Sequence, residues 1–394
     1  MVKHQNASVI LYGSNTMNIF YLSASDPNSH GNILKFYYEK MGYGKYNQIS
    51  RKRPTKKAVD ITYEFYKKPI IHLSNGKTIV GNKSMEYIGK LADRADIIHV
   101  DRPTMNNLFP KNNKQSNLYL HIIKNGKKIL WGDYLKTKPC VFNYRGSTLM
   151  MNFDTPNISK LWETYKHAVP IFCNPHLSYC LPKTAQMLPF CGNEEVWKNF
   201  QSNPSTFSIS LSATHTQKQH SNYPKWLNTQ FDKLPSLVNK KDFAYGVDGN
   251  TNLALSQLPS WIRQNNFNIK INNIVNNTYH QSLQKIAQSS CHFDNFIGFG
   301  SYGWGAVEAM YFKKPVLNGI SYPFQKNMGE NPFLQTENMK TLKANIKKIY
   351  NSKLEYEKYK VKSMSFYEKY HKPENVINNY LIPIYEKALD NFIG

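Results

Sequence analysis

Residues 286–320 read IAQSSCHFDNFIGFGSYGWGAVEAMYFKKPVLNGI, and the fold follows from how this stretch is parsed. IAQSS closes a short amphipathic helix. Cys291 to Ile297 forms a strand-like run, followed by a loop with Gly298, Gly300, Gly303 and Gly305. A second helix carries Ala306, Val307, Ala309, Met310 and Phe312, with Glu308 expected in its first turn. Lys313 and Lys314 fall at its C-terminal end, where cations suit the helix dipole. Pro315 stops the helix, and the run from Pro315 to Ile320 reads as a short buried strand. Strand, glycine loop, helix and strand make one βαβ unit with its loop at the strand's carboxyl end. Open α/β sheets bind ligands there, because backbone N–H groups at a helix N-terminus attract phosphate.

A glycine-rich loop alone is equally a tight turn. This one has neither P-loop spacing nor the spacing of a dinucleotide fingerprint. Glu308 alone is equally a partner for the helix dipole. Together, however, Val-Glu-Ala-Met followed by Lys-Lys-Pro-Val-Leu resembles the EAMA.GkPVl signature of GT-B glycosyltransferases, especially the retaining family-4-like group. The resemblance implies that Glu308 binds the ribose hydroxyls of a nucleotide-sugar donor. The loop of Gly300, Ser301, Tyr302, Gly303, Trp304 and Gly305 would face its phosphates. It also implies an α/β GT-B fold, two Rossmann-like domains facing across a cleft. The expected divisions are 1–195 on the acceptor side, 196–370 for the nucleotide sugar, and a 371–394 helix packing back on the first domain.

At 394 residues the chain has room for two domains with ample core. It contains no apolar run of about 18 residues, so no membrane span is expected. MVKHQNASVILYGS is too short in its apolar part for a signal peptide. The cysteines, at 140, 173, 180, 191 and 291, form no CxxC pair, so reduced thiols in a cytoplasmic setting are expected. Zinc is not expected, since no His/Cys cluster has ligand spacing. The net charge of +24 comes from 50 basic against only 26 acidic residues. An AT-rich genome, favouring Lys, Asn, Ile and Tyr, is the alternative reading of this composition. A surface so poor in carboxylates still attracts polyanions, with nucleic acid and anionic lipid headgroups the two candidates.

In chain order, residues 8–12 (SVILY) read as the first buried strand. A polar loop then runs through Gly31, and a helix spans Asn32 to Met41 with Gly42 as its C-cap. By resemblance, Gly31 belongs to a loop approaching the sugar. Residues 45–68 are basic, with Arg51, Lys52 and Arg53 at their centre and Tyr46, Tyr63, Phe65 and Tyr66 interleaved. Such a run is commonly a solvated face, but cations among aromatics also grip phosphates and bases. Its place suits an acceptor role. Ala95 to Val100 resembles the family's aDiiH strand, and Asn125-Gly126 marks a β-hairpin. Cys140 to Tyr144 is a strand ending in Arg145-Gly146-Ser147, which resembles the hyHGSelR loop. Arg145 stands where a sugar-touching histidine is usual, and Thr148 and Met150 replace the acidic and arginine positions.

The linker is expected near 190–205, and Phe207 to Leu211 opens the second sheet. Lys218, in a loop resembling hsPtn…KG, is the match for the family's basic residue against the donor diphosphate. The family's usual first glutamate would fall at position 300, where this chain has glycine. A subgroup with an upstream aspartate lacks it too, and Asp294 approximates that residue. The resemblance thus implies a UDP-sugar-dependent hexosyltransferase that needs no metal. Lys218, the glycine-loop amides and the helix dipole would stabilise the departing diphosphate, with Arg145, at the sugar-touching position, the other catalytic candidate; Gly146, Ser147 and the glycine loop would hold the donor; Gly31 and Arg51 to Arg53 would meet the acceptor. The favoured acceptor is a hydroxymethylated pyrimidine in DNA, as in phage-type DNA modification. The alternatives are a lipid-linked or envelope glycan at an anionic membrane surface, and a non-catalytic nucleic-acid-binding protein on a GT-B scaffold.

Overall fold

The computed structural model describes residues 16–23, 30–50, 61–64, 70–73, 77–103, 105–109, 121–144, 155–174, 177–178, 181–211, 251–274, 277–296, 302–320 and 328–394. The first half of the chain runs β1 (Ile19–Ser23), α1 (His30–Lys40), β2 (Tyr46–Ser50), β3 (Ile61–Glu64), β4 (Ile70–Leu73), β5 (Thr78–Val80), α2 (Asn82–Asp93), β6 (Ile97–Asp101) and α3 (Met105–Leu108). It continues through the hairpin β7 (Ile122–Lys124) and β8 (Lys127–Ile129), then α4 (Trp131–Leu135), β9 (Cys140–Tyr144), α5 (Thr155–Thr164), β10 (Val169–Phe172) and β11 (Gln186–Met187). A connecting segment with α6 (Glu194–Trp197) leads to β12 (Ser208–Leu211), α7 (Thr251–Gln264), β13 (Lys270–Asn273), α8 (Tyr279–Ala287), β14 (Cys291–Asn295), α9 (Trp304–Tyr311), β15 (Val316–Asn318) and β16 (Leu334–Gln335). The chain closes with α10 (Met339–Asn351), α11 (Lys353–Tyr370), α12 (Pro373–Val376), a π-helical turn (Ile377–Leu381) and α13 (Ile382–Ile393).

Two sheets result. Among the described residues the first is ordered β11-β10-β9-β6-β1-β2-β3-β4-β5, parallel except for the β3-β4-β5 meander. The second, β13-β12-β14-β15-β16, is parallel throughout. Each is covered on both faces, as parallel sheets require. Phe20, Ile98 and Phe142 pack under Trp131 and Tyr165, while Ile19, Ile97 and Val141 pack under α1 and α13. In the second sheet Ile209, Phe293 and Leu317 face α7 and α10, and the opposite face packs on α8, α9 and α11. The C-terminal helix returns to the first sheet, where the Tyr385 hydroxyl meets His99 Nδ1 at 2.9 Å.

Strand order fixes where ligands can approach. In the first sheet β2 lies on one side of β1 and β6 on the other; in the second, β13 and β14 flank β12 in the same way. The helices that follow therefore leave in opposite directions and open a crevice at the carboxyl ends. Both crevices point at the same space: the His30 ring, at the start of α1, packs edge-on to Trp304, at the start of α9, with centroids 6.3 Å apart.

Several sequence expectations change. The strand expected at 8–12 lies outside the described residues, and the central first strand is Ile19–Ser23 within the stretch read as loop. It is fully enclosed because parallel neighbours flank it on both sides. Gly31 lies inside α1 rather than in a loop. The basic 45–68 stretch contains β2 and β3. Helix α9 begins at Trp304, so Glu308 sits beyond the first turn. Lys314 is 2 % exposed, because α9 ends in a Schellman motif that turns the chain inward. Lys313 N–H bonds the Met310 carbonyl and Lys314 N–H bonds that of Ala309, with Lys313 at φ 58°. Burial, with Lys360 nearby, lowers the Lys314 ammonium to about 8. The hairpin is as expected, with Asn125 at φ 49° and Gly126 at φ 74°. Among the described residues no helix is long and apolar enough to cross a membrane.

Candidate active site between the two sheets

Strand β14 alternates: Cys291 and Phe293 point into one core, His292 and Asp294 toward α9. Asp294 Oδ2 accepts the Gly303 amide at 2.7 Å. A Cβ on Gly303 would lie 3.0 Å from Asp294 Oδ1, so the glycine is what lets the carboxylate reach the backbone. Beneath it, His292 Nε2 lies 3.8 Å from Asp294 Oδ1, and His292 Nδ1 pairs with Ser210 Oγ at 2.9 Å. Gly303 caps α9 in extended conformation and supplies no side-chain acceptor. The first amides of the helix, from Trp304 to Ala306, therefore lack the usual capping oxygen and carry the positive end of the helix dipole.

Glu308 is 4 % exposed. It lies on the face of α9 that also carries Trp304 and Tyr311, both packed against Trp197 of the connecting segment. The Tyr279 hydroxyl accepts from Trp197 Nε1 at 2.9 Å and hydrogen-bonds Glu308, which as a carboxylate can only accept. Burial, reinforced by Glu308, pushes the Tyr279 phenol up. The carboxylate is thus held between α8 and the segment joining the lobes.

The facing edge of the first sheet is built from side chains. His30 is fully buried, with Nε2 3.9 Å from Cys173 Sγ and its ring edge-on to Phe190. At the ends of β1 and β6, Asp101 accepts from Ser23 Oγ at 2.9 Å and from Arg102 Nε at 3.2 Å. Arg102 has φ 55°, a left-handed backbone that a non-glycine residue adopts at a cost. Its amide donates to the Asn143 carbonyl at 2.7 Å, which fixes that turn.

The structure brings together Tyr302, Gly303, Trp304, Gly305 and Glu308. Gly31 reaches the same crevice only through its neighbour His30. A Cβ on Gly31 would lie 2.6 Å from the Tyr21 ring and 2.7 Å from Gln48 Nε2, so its small size is required for packing. Arg145, Gly146, Ser147, Lys218, Gly300, Ser301, Arg51, Lys52 and Arg53 lie outside the described residues. Sequence reasoning missed His30, Arg102, Tyr279 and Trp197. One signal was available: Asp101-Arg102 directly follows a buried apolar strand, and a buried carboxylate needs a partner. Among the described residues, no group of three or more His, Cys, Asp or Glu side chains could hold a metal ion. A cavity of about 720 Å³, lined by Lys166, His167, Thr184, Lys387 and Asp390, opens at the amino end of β10, the edge of the sheet away from the crevice.

Two sheets with parallel cores and opposed crevices, and a C-terminal helix returning to the first, define the GT-B glycosyltransferase fold. Solved structures agree. A glycosyltransferase from Rickettsia africae superposes with TM-score 0.52 at 13% identity, over 96% of this chain and 100% of that one. Sucrose-phosphate synthase from Thermosynechococcus elongatus gives 0.51 at 12% identity, over 95% and 99%. An α-glucosyltransferase in complex with UDP and a 13-mer DNA containing an HMU base gives 0.51 at 10% identity, over 94% and 100%. At these identities the likeness is one of fold. No protein-family model matches the chain, and neither does any curated protein sequence.

Proposed function

We propose that the protein is a glycosyltransferase that moves a sugar from a UDP-sugar to a hydroxymethylated pyrimidine in DNA. The observation that carries the donor half is the meeting of the two crevices, His30 against Trp304, over uncapped helix amides and a buried carboxylate. The diphosphate lies against the amides of Trp304 to Ala306, with the ribose on Glu308 in exchange for the Tyr279 hydroxyl. As the bond from the sugar to the diphosphate breaks, negative charge grows on the leaving oxygen. The α9 dipole, Lys218 and Arg145 stabilise it. The acceptor oxygen bonds the sugar carbon with retention, and its proton passes to the leaving phosphate.

Two observations support the DNA half. The net charge of +24 gives a long-range attraction to polyanions. One structure of the same fold, an α-glucosyltransferase, holds UDP together with DNA containing an HMU base. The test is transfer of radiolabelled sugar from UDP-glucose to duplexes with and without hydroxymethylated pyrimidines. The expected result is label in the modified duplex only, with DNA binding that weakens steeply with salt. Transfer to lipid-linked acceptors alone would move the acceptor to a membrane surface. DNA binding with neither transfer nor hydrolysis of the UDP-sugar would reduce the protein to a binding module.

A further inference from the structure

The chain passes between the lobes twice, and the two passages lie side by side. The first runs from β11 to β12 through Phe190 and Gly192; the second leaves α11 at Tyr370 and enters α12 at Pro373. Gly192 N–H donates to the His371 carbonyl at 2.8 Å, and a Cβ at 192 would collide with the Tyr367 hydroxyl. Close contact of these two strands of chain is therefore built into the sequence.

His371 stands at this junction, fully buried. Its Nδ1 lies 2.8 Å from the Phe190 carbonyl oxygen. A carbonyl can only accept, so Nδ1 carries the proton and the neutral ring offers a lone pair at Nε2. Nε2 is 3.0 Å from the Tyr302 hydroxyl, which therefore donates. Tyr302 immediately precedes Gly303, whose amide Asp294 holds. One imidazole thus binds the first passage with one nitrogen and the glycine loop with the other, while its own backbone belongs to the second passage. Desolvation keeps its pKa down to about 4, so this tautomer persists at neutral pH.

We propose that His371 is a positioning residue for nucleotide binding: it sets the Tyr302 hydroxyl, and with it Gly303 and the first amides of α9, in register with the junction of the lobes. The proposal rests on the reading of this loop as the diphosphate site. Its consequence is that nucleotide affinity and the seating of the two lobes share one hydrogen bond. A glutamine at 371 can still present an acceptor to Tyr302. An asparagine can keep the bond to Phe190 but falls short of Tyr302.

The experiment is calorimetric titration of the full chain with UDP, alongside thermal melts, for the wild type and five variants. These are Tyr302→Phe, His371→Asn, their double mutant, His371→Gln and Tyr370→Phe. Tyr370 supplies the control, because its hydroxyl donates to the Met328 carbonyl at 2.8 Å in the same corner, outside the hydrogen bonds that join Phe190, His371 and Tyr302. Tyr302→Phe and His371→Asn are each expected to weaken UDP binding by about fivefold, and the double mutant by no more than either single. His371→Gln should recover most of the affinity. Tyr370→Phe should lower the melting temperature and leave UDP affinity alone. Unchanged affinity in Tyr302→Phe, an additive double mutant, or an equal loss in Tyr370→Phe would overturn the proposal. If the wild type binds no UDP, the donor-site reading fails first and takes this one with it.

Discussion

Gly31 and Gly303 each stand at the start of a helix that follows an inner parallel strand, one in each lobe. They are small for different reasons. At Gly31 the space is taken by the protein's own Tyr21 and Gln48, so the first lobe closes this corner with packing. At Gly303 a carboxylate approaches the backbone, and the glycine offers no capping side chain to the amides beyond it. The same βα turn can thus be closed or left open for an anion, and the atoms in contact with the glycine decide which. Side chains dominate the first lobe's edge, backbone the second's.

The largest expected effect concerns the junction that joins these two corners. His371 is held down from 6.5 to about 4 by burial. Between those values the unfolded chain binds a proton that the folded chain refuses. Stability is therefore complete above pH 6.5 and falls as pH drops through the window, by roughly 3 kcal/mol. Denaturant melts from pH 7 to 4 on the wild type and His371→Gln check this, with a shallower slope expected in the variant. Next, Glu308→Gln should weaken UDP binding by about tenfold to a hundredfold, since charge-assisted hydrogen bonds to hydroxyls are lost while shape is kept. Calorimetry reads this directly. The glycine pair itself separates the two corners. Gly31→Ala should cost about 1–3 kcal/mol in stability with UDP affinity retained. Gly303→Ala should cost less in the melt and more in UDP binding. The smallest effect is a gain: Lys313→Gly relieves a left-handed backbone at φ 58° and should stabilise by about 1 kcal/mol.

The second lobe was legible because its strand, loop, helix and strand are contiguous in sequence and each has its own punctuation. Pro315 ends α9, and Cys291 and Phe293 alternate with polar partners in β14. The strand at Ile19–Ser23 was read as loop because nothing local marks IFYLS as a central strand. Long-range pairing with Tyr46–Ser50 and Ile97–Asp101 makes it one. The burial of Lys314 was not legible because the helix dipole is a local argument, whereas burial depends on where the Schellman turn sends the chain. His371 carries no local signal at all. Its partners, Phe190 and Tyr302, are distant in sequence and meet it only when the lobes are assembled.

The central claim is that a diphosphate rests on the amides of Trp304 to Ala306. Hydrogen exchange read by mass spectrometry, with and without UDP, tests it most directly. Added UDP should slow exchange in the peptide spanning these residues and at the start of α1, around His30. Slowed exchange only near Lys166 and Lys387, at the opposite edge of the first sheet, would contradict it, as would no change anywhere at saturating UDP.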